Sequence, residues 1–337
     1  MIKEQVKQLW KLCFDDSDEF VELYFSLRYA DDINVVAYSD ETVIAALQMI
    51  PYPMTFCRQT INTSYISGAC THPSFRGTGV MRNVLTDSFY KMRSSAVSFS
   101  TLIPAEPWLF DYYKRMGYAT VFYNSRRVVH LPELSNSSTV ALTFDSCTAW
   151  DEKIASYVSR KLQERSCSLL HTQKDMQAVL ADMALNGGLL LVACHKENIA
   201  GVAFVEPAQQ RFIVKELLAD NEAIANALLV EAGRVFNLKE AVVLAPAFAD
   251  NMHALGMGRI IDAPAILQLY AKANPNIHLS IKLIDEQIPE NNGSYQISGG
   301  LCKMTPSATT QSVTFTISEL TEKIFLPEEP YMSLMMD

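Results

Sequence analysis

The sequence predicts an α/β protein in which one unit of strands and helices occurs twice. The segment VAYSDETVIAA (36–46) has the pattern of VACHKENIAGV (192–202), about 156 residues further on: a strand, a short polar turn and a strand of small apolar residues. A second pair of segments is similar in the same way: LIPA…RMGYATV (102–121) and LAPA…GMGRIID (244–262). We therefore expect two copies of one α/β unit, with chance similarity of two α/β domains as the alternative.

The first copy alternates strands with helices. A tight polar turn, Ser39-Asp40-Glu41, joins its first two strands, and Pro107 and Gly117 stand at the start and end of a short helix. The periodicity of the apolar residues supplies the other boundaries. Strands are expected over 34–40, 42–57, 60–71, 96–105 and 118–131, and helices over 3–13, 16–29, 80–92 and 107–117.

The remaining segments complete a three-part organisation. A polar linker, LPELSNSSTV (131–140), follows the first copy, and the helical run NEAIANALLVEAGRVF (221–236) occupies the position in the second copy that the helix after residue 80 has in the first. Beyond 272, Asn-Asn-Gly turn chemistry indicates strands, and ISELTEKIF (317–325) reads as a late helix. The expected domains are 1–131, 139–271 and 272–337.

Composition excludes several classes of function. The formal net charge is −9 and the pI about 5.2, which argues against nucleic acid and mildly favours cationic small molecules. The seven cysteines never form CxxC, and neither HExxH nor GxSxG occurs, so we expect no disulfide framework, no metal and no hydrolase. Without an apolar N-terminal region or an 18-residue apolar run, we expect no signal peptide and no membrane span, hence a cytoplasmic protein.

The segment THPSFRGTGVMRNVL (71–85) carries the strongest signal. A strand runs into Gly77 and Gly79 and then into a helix, which leaves unpaired backbone N–H groups at the positive end of the helix dipole. Glycine permits close approach of a ligand, and Arg76 adds charge. Such a turn binds phosphate, although it also occurs as a plain connection. The spacing is neither a P-loop nor GxGxxG, so it argues against ATP, GTP and a Rossmann dinucleotide as ligands.

This segment resembles the acetyl-coenzyme-A signature of the GNAT acyltransferases, R/Q-x-x-G-x-G/A. Arg76 and Gly79 match the first two fixed positions, and Met81 stands where Gly or Ala is usual. The strand before it and LIPAEPWLFDYYKRMGY (102–118) fit the GNAT order. The whole chain is similar to the Eis-type branch, in which a large residue at the last position is typical.

The resemblance implies a fold class for the whole chain. It is α/β (α+β), with two GNAT-fold domains in tandem and a small C-terminal sterol-carrier-like α+β domain. The sheets are mixed and flanked by helices. The catalytic GNAT domain would be 1–131, a degenerate copy 139–271, and the sterol-carrier-like domain 272–337, which is shorter than is usual in the branch.

The resemblance also implies acetyl-coenzyme A as cosubstrate, without a metal. A strand edge suits the amide-rich pantetheine arm, and a helix N-terminus suits the pyrophosphate. The pantetheine arm would run beside the backbone of Ala69, Cys70 and Thr71. The pyrophosphate would lie at Arg76, Gly77, Thr78, Gly79, Val80 and Met81.

Acyl transfer to an amine needs an acid for the leaving thiolate and a base for the amine. Tyr113, four residues before Gly117, stands where enzymes of this type carry the acid, although clustered aromatic residues on a short helix are usually core. In the Eis branch the terminal carboxylate reaches the site, so Asp337 is the candidate base. The apolar residues of the tail PYMSLMMD (330–337) favour its docking onto the body of the protein. Docking for packing alone is the alternative. Glu106 and His72 are the fallback bases.

The predicted function is transfer of an acetyl group from acetyl-coenzyme A to a primary amine by direct attack in a ternary complex. The alternative is a non-catalytic module that binds coenzyme A or an acyl carrier, and a third possibility is a longer acyl donor or an aminoacyl-tRNA. The sequence does not distinguish between aminoglycosides, polyamines, lysine side chains and peptides as the amine that accepts the acetyl group. The Eis branch often forms hexamers, so a homo-oligomer is compatible with the resemblance.

Overall fold

A computed structural model describes residues 2–134, 141–147, 150–247, 251–305 and 312–336. The helices in these residues are α1 (Ile2–Cys13), α2 (Asp18–Leu27), α3 (Val80–Ser94), α4 (Pro107–Arg115), α5 (Leu131–Leu134), α6 (Glu152–Gln163), α7 (Gln173–Leu185), α8 (Glu222–Phe236), α9 (Ala263–Ala273) and α10 (Ile317–Phe325). The strands are β1 (Asn34–Ser39), β2 (Thr42–Phe56), β3 (Gln59–Thr71), β4 (Phe99–Leu102), β5 (Ala119–His130), β6 (Thr143–Cys147), β7 (Leu189–His195), β8 (Asn198–Ala208), β9 (Arg211–Ala219), β10 (Glu240–Pro246), β11 (His253–Ile260), β12 (Leu279–Ile284), β13 (Gly293–Ser298), β14 (Leu301–Thr305) and β15 (Val313–Thr316).

The chain forms two compact units. Unit 1 comprises Met1–Phe122 and Ala254–Pro330, and unit 2 comprises Tyr123–His253 and Tyr331–Met336. Both are mixed α/β structures with sheets flanked by helices, which confirms the predicted fold class.

The main sheet of unit 1 has the order β1-β2-β3-β4-β11. Strands β1 to β3 are antiparallel, and α3 then makes the crossover to β4, which runs parallel to β3. Alternation along β2 turns Ala45, Leu47 and Met49 to one face, where they pack in one cluster with Val84 and Phe89 of α3. This cluster forms the core beneath the candidate site.

The sheet of unit 2 repeats this plan, with the order β5-β10-β9-β8-β7-β6. Strands β7 to β9 are antiparallel, and α8 makes the crossover to β10, which runs parallel to β9. Leu228, Leu229 and Ala232 of α8 are fully buried against the strands. The repeated topology agrees with the two copies expected from the sequence pattern.

The two units divide the chain differently from the predicted domain boundaries. Strand β11, expected in the second copy, pairs antiparallel with β4 from Met257↔Leu102 to Ile260↔Phe99 and so belongs to unit 1. Strand β5, expected in the first copy, continues into unit 2, where it pairs with β10. The last strand of each copy thus completes the sheet that the other copy begins.

A second, four-stranded sheet in unit 1 has the order β14-β13-β12-β15 and is accompanied by α9 and α10. Asp285, just after β12, accepts a hydrogen bond from Arg259 of β11 at 2.7 Å, and both side chains are fully buried. The Asp285 carboxylate also accepts from the amides of Gln287 and Ile288 and from the side chain of Asn291. Because its acceptors are satisfied, this buried ion pair holds the small sheet to β11.

The C-terminal tail docks in unit 2. The Tyr331 amide donates to the Cys167 carbonyl at 2.9 Å, and the Ser333 hydroxyl donates to the Glu216 carboxylate at 2.6 Å. The side chain of Leu334 is buried in the core of the unit. The tail is therefore held by both packing and hydrogen bonds as far as Met336, whereas Asp337 lies outside the described residues.

We predict that Asp285→Asn lowers the free energy of unfolding by about 3 kcal/mol, because it leaves the buried Arg259 cation without its counter-charge. Urea denaturation followed by circular dichroism measures the change. Asp18→Asn is the control, since Asp18 pairs with Lys11 at the surface and its loss should leave stability essentially unchanged. Equal stability of the two variants would contradict an anchoring role for Asp285.

Candidate functional site

Strand β3 has one open edge near its end. Its pairing with β2 continues to Ala45↔Thr71, but its pairing with β4 extends only from Thr63↔Phe99 to Tyr65↔Thr101. Among the described residues, no strand pairs with this edge of β3 beyond Tyr65. Apart from the Thr71 carbonyl, which accepts hydrogen bonds from Arg76 and Cys13, the backbone of 66–71 therefore offers donors and acceptors to an extended ligand.

A bulge at Gly68 shapes this edge. Between the pairs Gln48↔Ser67 and Ala46↔Cys70, two residues of β3 oppose one residue of β2. Gly68 has a φ of +60°, and a Cβ placed there would lie 2.1 Å from Cζ3 of Trp10 in α1. Only glycine satisfies both the backbone conformation and this close packing.

The turn between β3 and α3 is open. Gly77 and Gly79 have φ values of +78° and +87°, and a Cβ at either position would meet no atom within 4 Å. Glycine is therefore needed for the left-handed backbone, and the space above the turn is unoccupied by the described chain. The sequence argument anticipated the glycines for close approach of a ligand, whereas the backbone conformation is their first requirement.

The N-terminus of α3 is uncapped. Gly79 occupies the N-cap position without a side chain, and the first helical hydrogen bond joins the Asn83 amide to the Gly79 carbonyl at 3.2 Å. The amides of Val80, Met81 and Arg82 consequently lack an intrahelical acceptor. They lie at the positive end of the helix dipole, which suits an anion.

The side chains beside the turn leave its amides accessible. Arg76 Nε donates to the Thr71 carbonyl at 3.1 Å, and the Thr78 hydroxyl donates to the Phe75 carbonyl at 2.7 Å. The side chains of Val80 and Met81 pack against the core cluster of unit 1. The large residue at the last position of the motif is thus accommodated by packing beneath the helix.

The corresponding helix in unit 2 is capped. Asn221 precedes α8, and its side chain accepts a hydrogen bond from the Ile224 amide at 3.1 Å. No glycine stands between the end of β9 and this cap. The second copy therefore uses a side chain where the first leaves its amides open.

Tyr113 lies in α4, beneath the glycine turn. Its ring is buried in the cluster against which Ala69, Val80 and Met81 pack. Burial raises the pKa of the Tyr113 hydroxyl, so the group is protonated at neutral pH. Among the described residues this hydroxyl has no hydrogen-bond partner, whereas that of Tyr118 lies 2.7 Å from the Ser100 hydroxyl. The Tyr113 hydroxyl thus has a donor available to a ligand.

The candidate bases differ in their surroundings. Glu106 is exposed at the N-cap position of α4 and forms no side-chain cap. The Nδ1 atom of His72 accepts from the Ser74 amide at 3.2 Å, and the imidazole packs against Phe75. His72 therefore has a structural role in the turn, and Asp337 lies outside the described residues.

Comparisons with known proteins agree with this geometry. Residues 3–121 match the family model of the acetyltransferase (GNAT) domain, which is about a third of the chain. No curated protein matches the chain.

Solved structures share the fold over most of the chain. A GCN5-related N-acetyltransferase from Anabaena variabilis has a TM-score of 0.78 at 13% identity, covering 98% of this chain and 96% of the other. A probable N-acyltransferase from Enterococcus faecalis has a TM-score of 0.75 at 15% identity, covering 95% and 86%. Eis1 from Mycobacterium abscessus has a TM-score of 0.72 at 12% identity, covering 96% and 87%. At these identities the likeness concerns the fold.

Two further observations concern metals and membranes. The described residues contain no group of three or more His, Cys, Asp or Glu side chains arranged to hold a metal ion. In the same part of the chain, none of the helices combines the length and apolar character needed to cross a bilayer.

We predict that Gly68→Ala destabilises the protein far more than Gly79→Ala. Both residues have positive φ, which costs an alanine about 1–2 kcal/mol. At Gly68 the added methyl group also collides with Trp10, whereas at Gly79 it enters open space. Urea denaturation of the two variants measures the order, and an equal loss of stability would contradict the close packing of Trp10 on the bulge.

Proposed function

We propose that this chain is an acetyl-coenzyme-A-dependent N-acetyltransferase that acts on a primary amine. The observation that carries the proposal is the presence of two open backbone segments close together in the sequence. Residues 72–79 connect the open edge of β3 at Ala69, Cys70 and Thr71 to the open amides that follow Gly79. The GNAT domain match over 3–121 supports the same conclusion.

The backbone edge and the turn would hold the two parts of the coenzyme. The amide-rich pantetheine arm would pair with the edge of β3 like an added strand. The pyrophosphate would accept hydrogen bonds from the amides between Gly77 and Met81, with charge from Arg76. Glycine at two positions keeps this surface free of side chains.

Tyr113 would act as the general acid. When bound, acetyl-coenzyme A supplies the acetyl group as a thioester. Direct attack by the neutral amine forms the C–N bond and breaks the C–S bond, and the Tyr113 hydroxyl donates its proton to the departing sulfur. The raised pKa of the Tyr113 hydroxyl keeps that proton in place until the thiolate develops. The terminal carboxylate of Asp337 would receive the proton that the amine loses.

A non-catalytic module that binds coenzyme A or an acyl carrier is the competing function. Unit 2 is an example of the same fold without the phosphate-binding turn, because Asn221 caps the helix that would otherwise present open amides. The first copy keeps the uncapped helix and a buried tyrosine hydroxyl without a partner, which favours catalysis. A longer acyl donor fits the same backbone surfaces but has no further support.

The Eis-like organisation of the whole chain belongs to this proposal. The four-stranded sheet with α9 and α10 supports a sterol-carrier-like C-terminal segment. A cytoplasmic location and a homo-oligomer are further expectations from the resemblance. The acceptor class stays open among small amines, lysine side chains and peptides.

We predict that the purified protein consumes acetyl-coenzyme A in the presence of at least one member of an amine panel containing aminoglycosides, polyamines and lysine peptides. Tyr113→Phe should lower kcat at least tenfold and leave the Kd for acetyl-coenzyme A unchanged, because only the acidic proton is lost. Release of free thiol measures turnover, and calorimetry measures binding.

Tyr112→Phe is the matched control, since it removes a neighbouring hydroxyl from the same helix and should keep kcat within about twofold. Equal turnover of Tyr113→Phe and the unaltered protein would exclude Tyr113 as the acid. Coenzyme binding without turnover of any amine would favour the non-catalytic module.

We predict that deletion of Asp337 alone lowers kcat at least tenfold, because the terminal carboxylate is then withdrawn by one residue. Met335 and Met336 are buried, so deleting them as well would also remove core contacts. Asp337→Ala keeps a main-chain carboxylate at the same position and should retain most activity. Steady-state kinetics on the best amine of the panel compare the variants, and full activity of the shortened chain would exclude this base.

A further inference from the structure

A buried carboxylate in unit 2 holds the last residues of the chain. Glu216 lies on β9, and only 1% of its side chain is exposed. Its Oε1 atom accepts hydrogen bonds from Arg165 Nη2 at 2.8 Å and from the Leu217 amide at 3.1 Å. Its Oε2 atom accepts from Arg165 Nη1 at 2.9 Å and from the Ser333 hydroxyl at 2.6 Å. We refer to Arg165, Glu216 and Ser333 as the tail clamp.

Further contacts fix the direction of the tail. The Arg165 guanidinium carbon lies 4.7 Å from the centre of the Tyr331 ring. The Leu169 amide donates to the Tyr331 carbonyl at 3.2 Å. The Nε2 atom of His171 lies 3.0 Å from the Ser333 carbonyl oxygen, and it donates because a carbonyl oxygen can only accept. The residues from Arg165 to His171 thus run beside the tail and hold its backbone as well as its side chains.

The Ser333 hydroxyl fixes the register of the tail. Its neighbours Met332 and Leu334 are buried, and their side chains donate no hydrogen bond. A shift of the tail by one residue would place one of these apolar side chains against the Glu216 carboxylate, which would lose a donor in a buried position. Buried ionic groups contribute little net stability but can specify one register of packing. The tail clamp is therefore suited to hold the tail in a single register.

The fold does not require a carboxylate at this place in the strand. Glu216 pairs with Phe204 of β8, and the corresponding pair of the first copy is Ser67 with Gln48. Phe204 and Gln48 correspond at the offset of about 156 residues that relates the two copies. Ser67 accepts a hydrogen bond from the Tyr24 hydroxyl at 2.7 Å, so a small hydroxyl side chain serves the same strand position there. The carboxylate is thus a feature of the second copy, where its donors include the tail.

We propose that the tail clamp positions the terminal carboxylate for its role as a base, an inference that rests on the proposed function. Ser333 is four residues before Asp337, and Met336, which directly precedes Asp337, is buried. A change of register would move the end of the chain by about 3.5 Å, the length of one extended residue. Displacement of a reacting group by about 1 Å can already lower a rate about a hundredfold. Arg165, Glu216 and Ser333 are therefore positioning residues that act through the terminal carboxylate.

The first experiment tests the tail clamp without any assay of acetyl transfer. Carboxypeptidase acts on the folded full chain, and intact mass records how fast digestion passes Met335. We expect Ser333→Ala to speed this digestion about fivefold or more, because the tail loses a hydrogen bond while the ion pair between Arg165 and Glu216 stays. Glu216→Gln, which removes the charge, should speed it at least as much.

Two variants serve as controls for the digestion. Ser333→Thr keeps a hydroxyl at the same position and should be digested at the rate of the unaltered protein. Glu206→Gln is the matched control for the loss of a carboxylate, since Glu206 pairs with Lys215 at 2.9 Å in the same unit, and it should change the rate less than about twofold. Equal digestion of Ser333→Ala, Glu216→Gln and the unaltered protein would overturn the tail clamp.

The second experiment measures acetyl transfer to the best amine of the panel. Ser333→Ala should lower kcat about fivefold or more and leave the Kd for acetyl-coenzyme A unchanged, because it alters no group that would hold the coenzyme. Ser333→Thr should keep kcat within about twofold. In a chain that lacks Asp337, Ser333→Ala should change kcat by less than about twofold, because the base that it positions is already absent.

The outcomes separate positioning from packing. Losses that multiply in the double variant, or full kcat of Ser333→Ala despite faster digestion, would overturn the positioning role. Full activity of the chain that lacks Asp337 would overturn the terminal base of the proposed function together with that role. Turnover of no amine would overturn the proposed function itself and the positioning role with it. In these last two cases the digestion result for the tail clamp would stand by itself.

Discussion

The early end of the β3–β4 pairing is the constraint on which the candidate site depends. Beyond Tyr65↔Thr101 the described chain leaves one edge of β3 without a partner strand, and the uncapped start of α3 adds further open amides. Unpaired backbone groups weaken a fold unless water or a ligand satisfies them. Here residues 72–79 connect the two sets of groups, and groups of these two kinds suit a ligand that carries both amides and phosphates.

The local elements of the first copy could be predicted from the sequence because their signals are local. The strand expected over 60–71 is Gln59–Thr71, and the helix expected from residue 80 is Val80–Ser94. Helix α4 likewise begins at Pro107 and ends shortly before Gly117, as the proline and the glycine predicted. Each of these boundaries depends on side-chain periodicity or on a glycine or proline within a few residues.

Long-range features could not be predicted in this way. The exchange of the last strands depends on partners more than a hundred residues apart. The apolar pattern of β5 or of β11 predicts a strand but does not identify the strand with which it pairs. The packing of Trp10 on Gly68 and the hydrogen bond from the Cys13 thiol to the Thr71 carbonyl also join distant segments. An isolated glycine within a strand pattern was the one available hint, since it suggests a bulge or a close approach.

The exchange of last strands makes the sheet of each copy depend on residues of the other copy. Strand β11 covers the edge of β4, and without it the first copy would expose a bare strand edge of the kind that promotes aggregation. Removing the residues of the second copy would therefore also remove the strand that covers β4, and the first copy would gain an unprotected edge.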